Sequence, residues 1–441
     1  MSFNIGLSGL FAANKHLDVT GNNIANVATT GFKSSRVEFR DQYAQSIGAT
    51  TGGADVGSGV ALGDISQRFT QGNLTTGTGN SLDMAINGSG FFMLGNNGER
   101  MYTRAGAFHT DRDGFIVNSE GMNLKGYNVN ASGAVNVGTL SDLRIDTSNI
   151  APATTSQITN AANLNSTSTT PTLTTFDAAD TKSYNYKYDT PIYDTQGNEH
   201  KLENYFVKTG VNTWSMHSLI DGRSIADPTT TTSTETQLTF DSGGNLILSG
   251  TGAPVSSGAV TVNADGTLQV NGWVPGAQTG SGATAAWAAN GAASSTTGIK
   301  LDMTGVKQTA AASGPISQSQ NGYATGQVSS LSVDDNGSMF ATYTNGQSKV
   351  IGQVSLTTFA NVQGLASAGG TNWRETYASG VPVSGAPQTG TLGTVTGQAL
   401  EESNVDLTAE LVELIKAQSN YQANAKTIST QSTILQTTIQ M

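Results

Sequence analysis

Apolar side chains recur at every seventh residue near the amino terminus of the chain. This stripe consists of Phe3, Leu10, Leu17 and Ile24. Small or apolar residues lie three positions further on, with polar Thr20 as the exception, at Gly6, Ala13 and Val27. Alternating steps of three and four residues are typical of a helix with a narrow apolar seam. The pattern predicts a helix over about the first thirty residues, packed on its own domain or on another helix.

A second stripe with the same alternating steps runs to the carboxyl end of the chain. Its members are Leu407, Leu411, Leu414, Gln418, Tyr421, Ala425, Ile428, Ser432, Leu435 and Ile439. Asp406 suits the N-cap of this helix, and Glu410 lies near its first turn, where the helix dipole favours an acid. The polar members weaken a closed dimer but can set its register. Two heptad helices at opposite ends predict that they pair and that the middle of the chain is inserted between them.

The interior of the chain has the pattern of β-structure. Turn signals rich in Asp, Asn and Gly recur between apolar or alternating runs, as at 111–114, 194–198 and 334–337. Strands are predicted at 91–94, 115–117, 205–207, 214–220, 246–248, 259–262, 268–270, 339–343 and 350–356. Two stretches rich in small polar residues, 147–175 and 276–297, carry little pattern, and we interpret them as linkers or as loops of an outer domain.

Composition narrows the function classes. Charged residues make up 12% of the 441 residues, against a usual share of about 25%. The net charge of -11 argues against a nucleic-acid protein and against binding to anionic membranes. No apolar run is long enough for a transmembrane helix, and the first residues do not resemble a secretory signal. With 0 Cys, the chain has no disulfide, thiolate zinc site or cysteine nucleophile.

No set of residues in the sequence predicts catalysis or metal binding. The four histidines are far apart, at His16, His109, His200 and His217. Asp334, Asn336 and Ser338 imitate the first ligands of a calcium loop, but the acidic twelfth position is Asn345, so a hairpin turn is favoured. We therefore predict a protein that is not an enzyme and that has no cofactor and no metal.

One motif is specific enough to suggest a family. Residues 21–33, GNNIANVATTGFK, closely resemble the amino-terminal signature of the bacterial flagellar rod and hook family. The signature positions are Asn22, Asn23, Ile24, Ala25, Asn26, Thr29, Gly31, Phe32 and Lys33. In local terms, the Asn cluster ends the helix, Gly31 permits a turn and Phe32 anchors it. Further blocks are similar to the same family at 82–92, 102–108, 193–200, 205–208, 402–407 and 418–424.

The resemblance implies a mainly β multidomain fold with α-helical coiled-coil termini. Its topology is nested, with β-domains inserted between the paired N- and C-terminal helices. Residues 1–27 plus 403–441 would form a terminal coiled-coil domain, and 28–72 plus 389–402 a connecting segment. Residues 73–149 plus 321–388 would form an inner β-domain, and 150–320 an outer β-domain.

The extra segment of about residues 150–320 favours a hook subunit over a distal-rod protein, which would be shorter. The resemblance then implies a structural subunit that polymerises into a curved, flexible tube. That tube acts as a universal joint between rod and filament in the extracellular flagellum. Implied partners are further copies of the chain, the distal rod, the hook cap, the hook–filament junction proteins and the flagellar type III export apparatus. Neither nucleic acid nor membrane insertion is expected.

The residues expected to drive assembly form one set, here called the terminal seam. It consists of Phe3, Leu10, Leu17, Ile24, Leu407, Leu411, Leu414, Tyr421, Ile428, Leu435 and Ile439. Ordinary packing within one chain would explain the same spacing, and both roles can hold at once. Two alternatives remain open: a distal-rod protein with an enlarged β insertion, and a secreted adhesive β-protein. The second would need an exposed aromatic platform. The tryptophans of this chain are scattered in sequence, which disfavours that alternative: Trp214, Trp273, Trp287 and Trp373.

Overall fold

A computed structural model of the chain describes residues 2–42, 57, 59–96, 98–130, 133–280 and 285–440. Two helices bracket the β-structure, α1 (Ser2–Ala25) and α2 (Leu407–Gln440). The strands, in chain order, are β1 Ser35–Asp41, β2 Val60–Gln67, β3 Leu74–Thr76, β4 Met84–Asn87, β5 Phe91–Asn96, β6 Glu99–Thr103, β7 His109–Thr110, β8 Ile116–Val117, β9 Asn123–Val129, β10 Val135–Asp142, β11 Gln157–Asn165, β12 Tyr186–Tyr193, β13 Glu199–Gly210, β14 Thr213–Ile220, β15 Thr234–Thr239, β16 Val255–Ser256, β17 Val260–Val262, β18 Leu268–Val270, β19 Gly276–Thr279, β20 Ala286–Ala289, β21 Ile299–Asp302, β22 Lys307–Thr309, β23 Gly314–Gln320, β24 Val328–Val333, β25 Ser338–Tyr343, β26 Ser348–Val354, β27 Leu356–Thr358, β28 Ala366–Gly369, β29 Asn372–Arg374, β30 Val383–Gly385, β31 Thr394–Gly397 and β32 Ala399–Glu401.

Local signals in the sequence set the ends of both helices. At the start of α2, Oδ1 of Asp406 accepts hydrogen bonds from the backbone N–H groups of Thr408 (2.9 Å) and Ala409 (3.1 Å), as predicted for its N-cap. Helix α1 ends at Ala25, a few residues before the predicted limit. There Nδ2 of Asn26 donates to the backbone oxygen of Asn22 (3.0 Å), a carbonyl near the helix end. The side chains of the Asn cluster thus compete with continued helix.

The first of two compact units contains both chain ends. It comprises Met1–Thr147, Val328–Thr342 and Gly346–Met441. Its main sheet has the order β24-β25-β26-β9-β5-β6-β29-β28, with β10, β27, β30, β7 and β8 paired at its sides. Strands near the carboxyl end of the chain pair with strands near its amino end, since β31 pairs with β4 and β32 pairs with β3. The mainly β fold with nested topology is therefore confirmed.

Strand β5 separates two apolar cores in the first unit. Phe92 and Leu94 point to one face and join a cluster with Leu124 and Leu356. Phe91 and Met93 alternate with them and join the opposite cluster with aromatic residues of β6 and β29. A strand buried on both faces needs an unbroken apolar run, which is why FFML was recognisable from the sequence.

The second unit consists of Ser148–Gln327 with Tyr343–Asn345. One sheet has the order β17-β18-β21-β11-β22, with β23 also paired to β11. The other sheet runs β12-β13-β14-β15-β16, and β19 pairs with β20. One apolar core is built from side chains of both sheets, among them Ile158, Leu202, Trp214, Leu238 and Leu301.

Three sequence interpretations differ from the structure. The predicted strand at 246–248 contains only one isolated bridge, between Leu246 and Phe240. The stretch 147–175 contains β11, which lies inside a sheet rather than in a linker. The stretch 276–297 contains the β19–β20 pair, while 281–284 lie outside the described residues. Among the described residues, neither helix is both long and apolar enough to cross a membrane.

Candidate functional site

The two terminal helices pack against each other in an antiparallel arrangement. Near the start of α2, Nδ2 of Asn23 donates to Oε1 of Glu410 (3.1 Å). One turn further, Nε2 of His16 lies 3.8 Å from Oε2 of Glu413. At the other end, a Cβ placed on Gly6 would lie 3.1 Å from Cγ1 of Ile428. Residue numbers rise on one helix as they fall on the other, so the pairing extends along α1.

Small and polar residues form the contact face of α1. Its buried positions are Gly6, Ala13, Thr20 and Asn23. The first three recur every seven residues, as the heptad pattern predicts. A Cβ on Gly9 would lie 2.5 Å from Oδ1 of Asn424, so a larger residue there would require the Asn424 side chain to move. On α2, Ala417 is fully buried, and the described part of that helix has no other buried residue.

The larger residues of the terminal seam are not fully buried within one chain. Half-buried members are Leu10, Leu17, Ile24, Leu414 and Ile428. Exposed members, with the exposed fraction of each, are Phe3 44%, Leu407 43%, Leu411 44%, Tyr421 38%, Leu435 50% and Ile439 83%. The structure therefore leaves much of this apolar set in contact with solvent.

The turn that follows α1 is held by the asparagine cluster and by Gly31. Asn23 and Ser35 exchange two hydrogen bonds, with Nδ2 donating to the Ser35 oxygen (2.8 Å) and Oδ1 accepting from its N–H (2.9 Å). Oγ1 of Thr29 donates to Oδ1 of Asn26 (3.1 Å). Gly31 has a φ of 69°, a left-handed conformation that favours glycine. A Cβ there would also lie 2.5 Å from the backbone nitrogen of Ala105.

A buried ion cluster lies directly after this turn. Nζ of Lys33 contacts Oε1 of Glu401 at 2.5 Å, and Nη1 of Arg104 contacts Oε2 of the same carboxylate at 3.1 Å. The side chains of Lys33 and Glu401 are fully buried, and that of Arg104 nearly so. The backbone N–H of Gly72 also donates to Oε1 of Glu401 (2.9 Å). The cluster joins the end of the helix turn, the β-sheet region and the strand that leads into α2.

Backbone carbonyls also accept hydrogen bonds from the two cations. Lys33 donates to the oxygen of Thr70 (2.7 Å), and Nη2 of Arg104 donates to the oxygen of Gly88 (2.6 Å). Burial lowers the pKa of Lys33, the neighbouring Arg104 lowers it further, and Glu401 opposes the change. Burial also lowers the pKa of Arg104, again against the influence of Glu401. One carboxylate therefore faces two cations, and removing it would leave both without compensation.

Comparisons with known proteins agree along the whole chain. Family descriptions match in four places: "Flagella basal body rod protein" at residues 3–33, "Flagellar hook protein FlgE/F/G D1 domain" at 85–164, "Flagellar basal body protein FlaE D2 domain" at 163–323 and "Flagellar basal body rod FlgEFG protein C-terminal" at 396–441. The flagellar hook protein FlgE of Escherichia coli is 39% identical over 444 residues, covering 100% of both chains. That of Salmonella typhimurium is 38% identical with the same coverage, and that of Borreliella burgdorferi is 32% identical over 99% of this chain and 98% of its own.

The chain belongs to the flagellar hook protein family. It is thus a structural protein of the extracellular flagellum rather than an enzyme, and membership implies polymerisation within the rod and hook assembly. The family predicted from the 21–33 motif is confirmed. A crystal structure of Helicobacter pylori flagellar hook protein FlgE2 aligns over 75% of this chain and 100% of that chain, with 16% identity and a TM-score of 0.49.

Three of the hook-family motif blocks contribute to the ion cluster or adjoin it. Lys33 comes from the 21–33 block, Arg104 from the 102–108 block, and Glu401 immediately precedes the 402–407 block. Sequence reasoning identified the blocks but did not pair these three residues. The available signal was that each block contains or adjoins a charged residue in a chain with few charges.

The second unit contains a separate polar cluster around His200. Its Nδ1 lies 2.6 Å from Oδ2 of Asp221, and its Nε2 lies 3.3 Å from Oδ2 of Asp194. Burial lowers the pKa of His200, but the two carboxylates outweigh burial and raise it overall. Within the described ranges, no group of three or more His, Asp or Glu side chains is arranged to hold a metal ion.

Proposed function

We propose that this chain is a hook subunit that polymerises through its paired terminal helices into a curved tube, the universal joint between rod and filament. The observation that carries the proposal is the exposed part of the terminal seam on α1 and α2. Six large side chains of the seam are exposed on this helix pair, and exposed apolar surface is costly in water and marks interaction sites. Because the two helices already cover each other's small-residue faces, the exposed seam is available to neighbouring copies.

The exposed seam residue Leu411 lies beside the contact face of α2, although another seam residue, Ile428, lies next to Gly6 of α1. Residues that face α1, such as Glu410, Ala417 and Asn424, recur every seven positions. Leu411 lies one position after Glu410 and is therefore rotated by about 100° around the helix. Neighbouring subunits can thus pack on Leu411 without separating α1 from α2. The inner layer of the tube would then consist of helix pairs from successive subunits.

The ion cluster of Lys33, Arg104 and Glu401 supports a role in force transmission. It connects the base of both helices to the sheet region through charged side chains that are almost fully buried. A joint that carries torque needs such a stiff connection between its helical tube and its β-domains. We assign this positioning role also to the motif residues Asn23 and Gly31, whose contacts fix the chain direction after α1.

The finer organisation follows from the family. We propose the four-part division at 1–27 plus 403–441, 28–72 plus 389–402, 73–149 plus 321–388 and 150–320, with the helices innermost and the last part outermost. Proposed partners are the distal rod, the hook cap, the junction proteins and the type III export apparatus. The adhesive alternative lacks support from tryptophan, because Trp214, Trp273 and Trp373 are buried and Trp287 is half-buried.

The test is the assembly of purified full-length chain carrying Leu411→Asp. Covering Leu411 contributes about 1 kcal/mol, since nearly half of its surface is still exposed, and burying a carboxylate instead costs at least about 2 kcal/mol. The critical concentration for polymerisation, measured by sedimentation, should rise roughly a hundredfold. Ala423→Asp adds the same charge on the far face of α2 and should polymerise as the unaltered chain does. Normal polymers from Leu411→Asp would refute the role of the seam.

A further inference from the structure

The 193–200 motif block belongs neither to the terminal seam nor to the ion cluster of Lys33. Asp194 and His200, at the two ends of this block, meet inside the second unit. The side chain of His200 is 5% exposed, and that of Asp194 is fully buried. Asp221, in the turn after β14, faces the same ring from another side. The block therefore contributes a buried, titratable cluster in addition to its turn.

Both ring nitrogens of His200 face a carboxylate oxygen. Nδ1 lies 2.6 Å from Oδ2 of Asp221, and Nε2 lies 3.3 Å from Oδ2 of Asp194. A neutral imidazole has one N–H group, whereas the imidazolium ion has two. The ring therefore donates to both carboxylates only when it is protonated. From a third side the uncharged indole of Trp273 packs on the ring in an edge contact, with 5.2 Å between the ring centroids.

The carboxylate of Asp194 joins this ring to the segment that follows β20. Its Oδ2 accepts a second hydrogen bond from Nδ2 of Asn290 (3.0 Å), the residue directly after β20. The next residue of the turn, Thr195, exchanges two hydrogen bonds with Ala293: its N–H donates to the Ala293 oxygen (3.0 Å), and its Oγ1 accepts from the Ala293 N–H (2.9 Å). The turn of Asp194 is thus attached to the carboxyl end of the β19–β20 pair.

The turn of Asp221 contacts the same pair of strands. Arg223, two residues further on, places its guanidinium carbon 5.3 Å from the centre of the Trp287 ring in β20. Strands β19 and β20 form a sheet of two strands, and three of the four residues of β19 are exposed. A two-stranded hairpin is marginally stable alone in water. The attachments to the two turns around His200 therefore contribute to keeping this pair in place.

We propose that His200 is a pH-sensitive latch that holds the β19–β20 pair against the rest of the second unit. In the closed form, the imidazolium ion joins the turns of Asp194 and Asp221, and both turns contact the pair. When the ring loses a proton, Nδ1 keeps its hydrogen in the shorter contact with Asp221, and the lone pair of Nε2 then faces Oδ2 of Asp194. This buried carboxylate has lost its compensating charge, which is costly. It regains solvation when the turn of Asp194 opens, and the opening withdraws the acceptor from Asn290.

The direction of the switch follows from the charges around the ring. Burial lowers the pKa of His200, but Asp221 and Asp194 outweigh burial and raise it overall. Burial raises the pKa of Asp194, but hydrogen bonds from Asn198 and Asn290 outweigh burial and lower it overall, so this carboxylate stays ionised while the ring titrates. The latch is therefore closed at about pH 6 and opens as pH rises through the raised pKa of His200. This inference does not depend on polymerisation.

A spin label on β19 of the full-length chain tests the latch. The chain has 0 Cys, so Ala277→Cys places a single nitroxide at an exposed position of β19. Its mobility is measured by electron paramagnetic resonance, and Gln237→Cys, at an exposed position of β15 in the same unit, is the control site. The ratio of mobile to immobile label at position 277 should rise about tenfold between about pH 6 and pH 9, the change expected from the loss of one charged hydrogen bond. The label at position 237 should not respond.

Three background substitutions separate the latch from general loosening of the unit. His200→Gln should abolish the pH response at position 277, whereas His217→Gln, which removes another buried ring of the same unit, should preserve it. Asn290→Ala keeps both contacts of His200 but removes the link to β20, so the label should be mobile at both pH values. A label at position 277 that does not respond to pH, a response that survives His200→Gln, or an equal response at position 237 would overturn the latch. A label that stays immobile at both pH values in the Asn290→Ala chain would also overturn it.

Discussion

The buried carboxylate of Glu401 should be essential to the stability of the first unit, and Glu401→Gln is the informative change. In the native protein Oε1 accepts from Lys33 (2.5 Å) and Gly72 (2.9 Å), while Oε2 accepts from Arg104 (3.1 Å). A glutamine oxygen can still serve the first two donors, but its Nε2 then points a donor at the Arg104 guanidinium. Both cations also lose their compensating charge. Removing one partner from a buried pair costs about 3–5 kcal/mol, and we expect a loss of unfolding free energy in that range.

Equilibrium unfolding followed by far-UV circular dichroism of the helices measures this loss, because α1 and α2 both belong to the first unit. Glu402→Gln is the matched control, since Glu402 is exposed and its side chain accepts one hydrogen bond, from Thr75. That variant should lose less than about 1 kcal/mol. A Glu401→Gln variant within about 1 kcal/mol of the unaltered chain would refute the reasoning.

Lys33→Met provides an internal check on the same argument. It removes one cation and leaves Arg104 paired with Glu401, so the remaining charges balance. The Thr70 oxygen keeps its hydrogen bond from Nδ2 of Asn404 (3.2 Å). Replacing buried ions by apolar groups of similar size is often nearly neutral. The loss should therefore be smaller than for Glu401→Gln, and the reverse order would contradict the charge-compensation argument.

Two further predictions concern pH and salt. Because the pKa of His200 is raised above 6.5 in the fold, its pairing with Asp194 and Asp221 stabilises the second unit fully below that value and is lost as pH rises through the raised pKa. Burial lowers the pKa of His217, which has the opposite effect on stability, but His217 is present in both chains and cancels when they are compared. The difference in unfolding free energy between the unaltered chain and His200→Gln should therefore shrink from about pH 6 to pH 8. A difference independent of pH would exclude the effect. The low-charge surface should make the bending of assembled hooks nearly insensitive to salt between about 0.05 and 0.5 M, and sharp stiffening at low ionic strength in single-hook bending measurements would count against it.

Local chemistry explains what was predictable from the sequence. The Asp406 N-cap and the 194–198 and 334–337 turns each depend on interactions within a few residues, and the FFML strand was recognisable from its unbroken apolar run. In the 334–337 turn, for example, Oδ1 of Asp334 accepts from the Ser338 N–H (2.8 Å), as a hairpin turn requires rather than a calcium loop. Such signals need no knowledge of the rest of the chain.

Strand β11 shows why other parts were not predictable. Its inward positions alternate correctly, but two of the four are Asn160 and Ala162, so the apolar pattern is weak. Its partners are β21 and β22 in parallel and β23 in antiparallel pairing, all more than a hundred residues away. The buried position of Asn160 depends on the distant Tyr188, because Nδ2 of Asn160 donates to the buried Tyr188 hydroxyl (3.0 Å). The converse holds for Leu246, which is apolar because it packs in the core and not because it belongs to a sheet.

The helical ends carry two stripes with the same seven-residue period, and period alone cannot say which one closes within the chain. Side-chain size separates them. Gly6 and Ala13 permit the close approach at which α1 and α2 pair, whereas the larger seam residues, such as Phe3 and Leu411, stay partly exposed. A helix pair with a small-residue contact has little core of its own, so it gains most of its stability when large apolar side chains are covered by neighbours. The small residues thus serve the packing of one chain, and the exposed large residues are left for the assembly of many, while Ile428 lies next to Gly6 and belongs to both sets. The pairing of the ends is therefore established in the single subunit, and the terminal seam stays a prediction about the polymer.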